Sequence, residues 1–254
     1  MSKEDQQDSL VTSGRYVVKL ARAENELRDA QALRYQVFNV ELDEGLECSH
    51  DQRLDVDKYD FQCDHLLVIE RQTNKAIGTY RLQTYPKARQ HHGFYTEDEF
   101  ELDALPKTIL ENSVEVGRAC IHREHRNGRV LYLLWRGIAE YIQMHDAGYL
   151  LGCCSLGSTD PGEGWVLMDF LRNNDHVHPK YILETKPDYL CPETEREAKA
   201  WQNVKAPELF RLYLDLGAKV LSKPALDKDF KTIDYLILVD IKDLGEDARA
   251  LFFR

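Results

Sequence analysis

Glu115, Gly117 and Arg118 lie within one run of strand length, Val114 to Ile121. A carboxylate in such a run can accept a proton, and an arginine can support developing negative charge. On a regular strand Arg118, three residues after Glu115, would point to the opposite face. Gly117 between them suggests a β-bulge, which would change that alternation and free a backbone N–H to face a carbonyl oxygen. Proton acceptor, oxyanion donor and charge support are what attack of an amine on an acyl group requires. The plainer alternatives are a solvent-facing or Arg118-paired Glu115, and a Gly117 that only relieves close packing.

Arg34, Asp57, Asp60 and Arg81 form a second constellation of mixed charge. In a cleft these groups would support one another while holding an amino acid by its carboxylate and ammonium. On a surface they would be ordinary solvated charges, and the segment Asp51 to Asp60 is acidic enough for that. His65 follows Asp64 at the mouth of a strand, either as a satisfied structural histidine or as a participant in the chemistry. Arg118, Arg123, Arg126, Arg129 and Arg136 crowd a short stretch, a patch able to dock an acidic protein or simply a solvated loop. Cys120 lies near the proposed centre, but a cysteine nucleophile wants a histidine base that the sequence does not place beside it. The six cysteines show no C-x-x-C spacing, so no metal-ligand set is expected.

Positioning these residues requires a scaffold, and the apolar periodicity supplies one. Residues 1 to about 14 are polar and show no apolar period, which predicts a disordered tail ahead of a single domain over 15–254. Tyr16, Val18 and Leu20 alternate as in a strand, and Leu27, Ala30, Leu33, Arg34, Val37 and Phe38 then recur at helical spacing. His65 to Glu70 and Ala76 to Thr84 read as a hairpin across the turn Thr73-Asn74-Lys75. Phe94 to Leu105 reads as a short helix with a loop. After Val114 to Ile121 comes the basic loop His122 to Arg129. The clearest helix follows, with its stripe of Val130, Leu131, Leu134, Trp135, Ile138, Ala139 and Ile142. Tyr149 to Leu156 is again a strand, so a parallel crossover joins two strands through that helix. Helices at Gly164 to Arg172 and Pro207 to Leu216 and a strand at Tyr235 to Ile241 complete an α/β fold with a mixed sheet, and Pro179 to Pro192 is irregular.

The 254 residues are 43% hydrophobic, enough for a sizeable core. Lys and Arg number 33 against 44 Asp and Glu, a net charge of −11 that would repel a nucleic-acid backbone. The longest apolar runs fall far short of the ~20 residues of a membrane span. The polar, acidic N-terminus lacks the apolar core of a secretory signal, so a cytoplasmic location is expected.

Several motifs, in order, carry a resemblance: Leu33-Arg34-Tyr35-Gln36-Val37-Phe38, Cys63-Asp64-His65-Leu66-Leu67-Val68, Gly78-Thr79-Tyr80-Arg81-Leu82, Glu115-Val116-Gly117-Arg118-Ala119-Cys120 and Leu131 to Tyr141. Tyr213 to Val220 and Asp229-Phe230 through Asp240 extend it. The chain resembles the ornithine-lipid-synthase-like (once hemolysin-like) N-acyltransferases, distant relatives of the acyl-homoserine-lactone synthases, over roughly residues 16–241. The resemblance implies an N-acetyltransferase-like (GNAT) fold and transfer of a fatty acyl group, 3-hydroxylated or not, to the amino group of an amino acid such as ornithine. The donor would be the acyl-phosphopantetheine of acyl carrier protein or acyl-coenzyme A, with no permanently bound cofactor. It also implies Glu115 as general base, and it matches Arg34, Asp57, Asp60 and Arg81 to the arginine, D-x-x-D and second arginine of the lactone synthases. The loop bearing Arg123, Arg126, Asn127, Gly128 and Arg129 stands where related folds bind pantetheine pyrophosphate at a helix N-terminus. Its glycine pattern is degenerate, Gly128 being followed by Arg129 and Val130. That departure favours a carrier-protein arm over coenzyme A. Contact with the inner membrane face would come through the lipid product. The alternatives are a lactone synthase that uses S-adenosylmethionine, an acyl-coenzyme A-dependent enzyme, and a non-catalytic membrane-associating protein.

Overall fold

Hydrophobic alternation places the strands of this chain around one mixed sheet. The computed structural model describes residues 9–197 and 200–253. Nine strands run β1 (Ser9–Ser13), β2 (Tyr16–Leu20), β3 (Asp64–Glu70), β4 (Lys75–Thr84), β5 (Ser113–Ile121), β6 (Tyr149–Leu156), β7 (Lys219–Val220), β8 (Ala225–Asp227) and β9 (Thr232–Asp240). Their order across the sheet is β1-β2-β3-β4-β5-β6-β9-β7, with β8 also on β9. All neighbours are antiparallel except β5 and β6. Four principal helices are α1 (Glu24–Tyr35), α2 (Arg129–Met144), α3 (Pro161–Asn173) and α4 (Glu208–Asp215).

Each face of the sheet carries its own core, because alternate residues point to opposite sides. Leu66, Val68, Leu82, Val114, Val116, Leu150, Tyr235 and Ile237 pack beneath the apolar stripe of α2, together with α4 residues Phe210 and Tyr213. Gly137 lets α2 approach closely, since a Cβ there would come within 2.8 Å of Leu66 and Val18 side-chain carbons. The opposite face packs Leu151, Leu236 and Leu238 against Phe94, Phe100 and Leu105.

The parallel pairing of β5 with β6 is short. Only Ser113–Glu115 and Tyr149–Leu151 are in register, after which β6 continues on β9 through Leu156. A Cβ on Gly152 would lie 2.3 Å from the Val116 carbonyl oxygen, so glycine is required where the two backbones last touch. Beyond that point the strands diverge and the sheet opens.

The expected tail over 1–14 needs correction. Ser9–Ser13 is an edge strand, joined to β2 through Gly14 at φ +59°. Leu10 and Val11 pack against the main core. The polar composition that suggested disorder is also that of an edge strand whose outer side meets water. Residues 1–8 lie outside the described residues. The hairpin of β3 and β4, the parallel crossover through α2 and the strand nature of Val114 to Ile121 and Tyr149 to Leu156 are as the sequence implied. The segment Phe94 to Leu105 holds two 3₁₀ turns instead of one helix, Tyr95–Glu97 and Leu102–Ala104.

Candidate active site

A cleft opens where β5 and β6 part. It is lined by consecutive residues of three strands: Tyr80 to Gln83, Glu115 to Ala119, and Cys153 to Ser155. Consecutive strand residues face opposite sides, so a cavity that touches all of them passes through the sheet. Arg81, Gln83, Glu115 and Cys153 give it a polar side. Tyr80, Leu82, Val116 and Cys154, with Phe210 and Tyr213 of α4, give it an apolar one.

Glu115 stands at the start of the splay and is only 6% exposed. Its Oε1 accepts from the Thr96 backbone N–H at 2.9 Å and from Thr96 Oγ1 at 2.7 Å. Its Oε2 accepts from the Tyr95 N–H at 2.9 Å. These donors open the turn Tyr95–Glu97, so the carboxylate is oriented by unpaired N–H groups at a helical N-terminus. Burial raises the Glu115 carboxyl above its ordinary value, and the Thr96 and Tyr95 donors limit that rise. The group is thus neither the solvent-facing glutamate nor the Arg118 partner that the plainer readings held. Nothing in the sequence marked Tyr95 and Thr96 as its donors.

The bulge is present but has a different origin. Thr79 pairs with Cys120 and Arg81 with Gly117, so Arg118 and Ala119 together oppose Tyr80. The left-handed residue is Arg118, at φ +49°, and not Gly117. A Cβ on Gly117 would meet nothing within 4 Å, which also removes the close-packing explanation. Holding a non-glycine residue there costs about 1–2 kcal/mol. Arg118 Nη2 donates to Asp57 Oδ2 at 3.0 Å, and its guanidinium lies 4.0 Å from the Phe230 ring centroid and 5.2 Å from that of Tyr95. The bulge therefore brings Arg118 round to the acidic side of the cleft.

Arg34, Asp57, Asp60 and Arg81 do converge, with Asp55 as a member that the sequence reading missed. Arg34 Nε donates to Asp55 Oδ2 at 3.0 Å and its Nη2 to Asp60 Oδ2 at 2.8 Å. Arg81 Nη1 donates to Asp57 Oδ2 at 2.6 Å and to Asp60 Oδ1 at 3.1 Å. Only Arg81 of these residues lines the cleft. Arg34 is fully buried, so its expected contact with substrate is replaced by a supporting role: it holds the aspartates that hold Arg81 and Arg118. His65 is likewise structural. Its Nε2 donates to the Asp60 carbonyl at 2.9 Å, which leaves Nδ1 to face Arg34 Nη1 at 3.5 Å. Burial and the Arg34 charge lower its pKa.

The arginine patch is thinner than the sequence implied. Arg118 belongs to the buried site, Arg126 pairs with Glu41 and Arg136 with Glu140. Arg129 Nη2 donates to Ser13 Oγ at 3.1 Å, and Asn127 Oδ1 accepts from the Arg129 N–H at 3.2 Å. Gly128, at φ +76°, is the N-cap of α2. Arg123 is exposed beside this helix start. Cys120 is buried, with a thiol pushed up by burial, and it does not line the cleft. A thiol held protonated is a poor nucleophile. Among the described residues Glu99, Cys153 and Asp234 bring ligand-type atoms within 4.8 Å of one another. These residues are too far apart in sequence to form a C-x-x-C type spacing. The mark the group left was a lone aspartate inside the apolar strand Ile233 to Val239.

The splayed mixed sheet, with a buried carboxylate and a bulge at its opening, defines an N-acetyltransferase-like acyltransferase. The family model described as acetyltransferase (GNAT) domain matches residues 33–136. An L-ornithine N(alpha)-acyltransferase of Rhizobium meliloti is 32% identical over 236 residues, 88% of this chain and 79% of that protein. One of Rhodobacter capsulatus is 29% identical over 249 residues, covering 94% and 95% of the two chains. In fold, the chain is similar to FeeM, an N-acyl amino acid synthase from uncultured soil microbes. There the TM-score is 0.51 at 10% identity, with 94% of this chain and 99% of that one covered. The chain belongs to the family of the L-ornithine N(alpha)-acyltransferases, and it is an acyltransferase.

Proposed function

We propose that the protein transfers a long-chain fatty acyl group, with or without a 3-hydroxyl, from a phosphopantetheine thioester to the α-amino group of ornithine. The observation that carries this reading is Glu115, buried on the polar side of the cleft where β5 and β6 part. The names of the relatives supply the acceptor. A carboxylate oxygen has two lone-pair sites. Oε1 uses both on Thr96, whereas Oε2 uses one on Tyr95. Oε2 is therefore the atom that takes the proton from the incoming ammonium. The freed amine attacks the thioester carbonyl, a C–N bond forms and the carbonyl oxygen takes up the charge. Arg118 and Ala119, which have no register partner on β4, supply the backbone donor for that oxyanion. Collapse breaks the C–S bond, and the sulfur leaves as a thiol with the second proton of the attacking nitrogen, while Glu115 releases the first to solvent. Arg81 and Arg118 hold the acceptor's carboxylate, and the apolar throat beneath Phe210 and Tyr213 takes the start of the acyl chain.

Mass spectrometry of lipids from cells overproducing the chain tests this directly. New N-acyl ornithine is expected with the parent sequence and not with Glu115→Gln; identical profiles would end the reading.

The donor is acyl carrier protein, approached through Arg123 and the start of α2. Among the described residues no helix is long and apolar enough to cross a membrane, and membrane contact arises through the lipid product. Arg123→Glu is expected to slow transfer from the acylated carrier about fivefold at low salt. The deficit should shrink as salt rises, and transfer from acyl-coenzyme A should change less. Equal losses with both donors would place carrier docking elsewhere.

A further inference from the structure

We infer that Glu99 and Asp234 form a subsite for the side-chain ammonium of a diamino acid, so that the enzyme selects its acceptor by the second amino group. This rests on the proposed acyl transfer to an amino acid and adds what the cleft recognises.

Glu99 is fully buried and Asp234 is 4% exposed, yet Glu99 Oε1 and Asp234 Oδ1 have no hydrogen-bond partner. Thr232 Oγ1 reaches only the other Asp234 oxygen, at 3.4 Å. The remaining buried acids of this region are satisfied differently. Asp55, Asp57 and Asp60 form ion pairs with arginines, even though Asp55 Oδ1 is itself without a hydrogen-bond partner, and Asp227 Oδ1 accepts from the backbone N–H groups of Asp229 and Phe230. Among the described residues neither Glu99 nor Asp234 enters an ion pair. A buried carboxylate without a cation is costly, and two together repel. Burial and the nearby Asp227 charge push Asp234 up to about 6, although Ser155, Thr232 and the Arg118 charge pull the other way. Burial and the charges of Asp234 and Asp227 carry Glu99 well above the carboxylate range against a Tyr95 hydroxyl.

Position supplies the second half of the argument. Asp234 lines the cleft and pairs across the sheet with Ser155, while Glu115 pairs with Leu151. Leu151, Cys153 and Ser155 alternate onto one face, so Glu115, Cys153 and Asp234 share it. Cys153 Sγ lies 3.8 Å from Glu99 Oε2, and Tyr95, whose N–H holds Glu115, also lies beside Glu99. An amino acid with its α-amine at Glu115 and its carboxylate toward Arg118 would extend its side chain along this face to the two acids. An ammonium has three N–H donors, which suits two carboxylate oxygens that lack partners.

A metal ion is the competing occupant, because Cys153 completes a three-atom set. Burial and the Glu99 charge raise the Cys153 thiol well above its usual value. It stands as an S–H donor to Glu99, and only a thiolate ligates a metal.

Calorimetry with L-ornithine and L-norvaline, which differ by the terminal amino group, tests the subsite without requiring acyl transfer. The parent protein should bind ornithine about 10- to 100-fold more tightly, the range of a charge-assisted hydrogen bond. In Asp234→Asn and in Glu99→Gln this preference should fall to within about threefold. Equal binding of both ligands by the parent protein would overturn the inference before any variant is made. So would equal loss of both ligands in the variants with the preference retained, or ornithine binding that appears only with added Zn²⁺. A parallel acylation assay on the same samples separates the two questions. Ornithine-selective binding without N-acyl product from either amine would sink the proposed transfer and leave the subsite standing.

Discussion

Glu115→Gln should lower kcat by about 10²- to 10⁴-fold, the range that a positioned general base contributes, with KM for either substrate little changed. Glutamine keeps the shape of the side chain but places an amide NH₂ where one carboxylate oxygen stood. One donor of the Tyr95–Thr96 turn then loses its acceptor. That unsatisfied donor costs about 1–3 kcal/mol, which a domain of about 5–15 kcal/mol tolerates, so the variant remains folded and a rate defect reports on chemistry. The pH profile gives an independent reading. Glu115 is raised by burial, so kcat/KM of the parent enzyme should fall as pH drops through a value above the ordinary carboxylate range. The variant should lose that acid limb. A loss of less than about fivefold with the acid limb intact would remove Glu115 from the proton path.

What the sequence made legible were the features decided by local pattern. Tyr149 to Leu156 follows from a hydrophobic run of strand length, and the helix after Gly128 from an apolar stripe of period 3.6. The parallel crossover then follows from their order. The resemblance marked Glu115 and the order of Arg34, Asp57, Asp60 and Arg81. Less visible were features set by partners distant in sequence. Arg34 sits on the apolar side of α1, where periodicity reads it as a face residue. Only the loop carrying Asp55 and Asp60, more than 20 residues on, decides that its charge is buried. Gly117 marked the bulge, yet the residue with positive φ there is Arg118, whose ion pair and ring contacts offset the backbone strain. Glu99 and Asp234 come from a turn and a strand 135 residues apart, and no spacing rule connects them. The tail was misread because polar edge strands and disordered segments share a composition.

Arg34→Met should destabilise the protein by about 3–5 kcal/mol, the cost of leaving a buried charge without its partner. At roughly 2–4 °C per kcal/mol for a chain of this size, the melting temperature would fall by about 6–20 °C. Arg34 is the only residue of the network that bonds both Asp55 and Asp60 through short contacts, and its side chain has no exposure. Without it, Asp55 retains a 3.7 Å approach of Arg118 and Asp60 retains Arg81 and Gln31. Arg34→Lys should recover little, since one ammonium cannot reproduce the fork that spans two carboxylates. The acid side of the stability curve should change as well. Burial alone would raise Asp60, but Arg34 and Arg81 carry it below its usual value. Its stabilisation is therefore fully present above about pH 4 and lost as pH falls further. In Arg34→Met this loss should begin at higher pH. A melting temperature within about 2 °C of the parent would show the pair to be dispensable. The expected defect also reaches the cleft, because Arg34 holds Asp60, which pairs with Arg81 at 3.1 Å, and Asp55, which Arg118 approaches at 3.7 Å. An ion pair with no surface of its own thereby supports the two guanidinium groups that line the cleft.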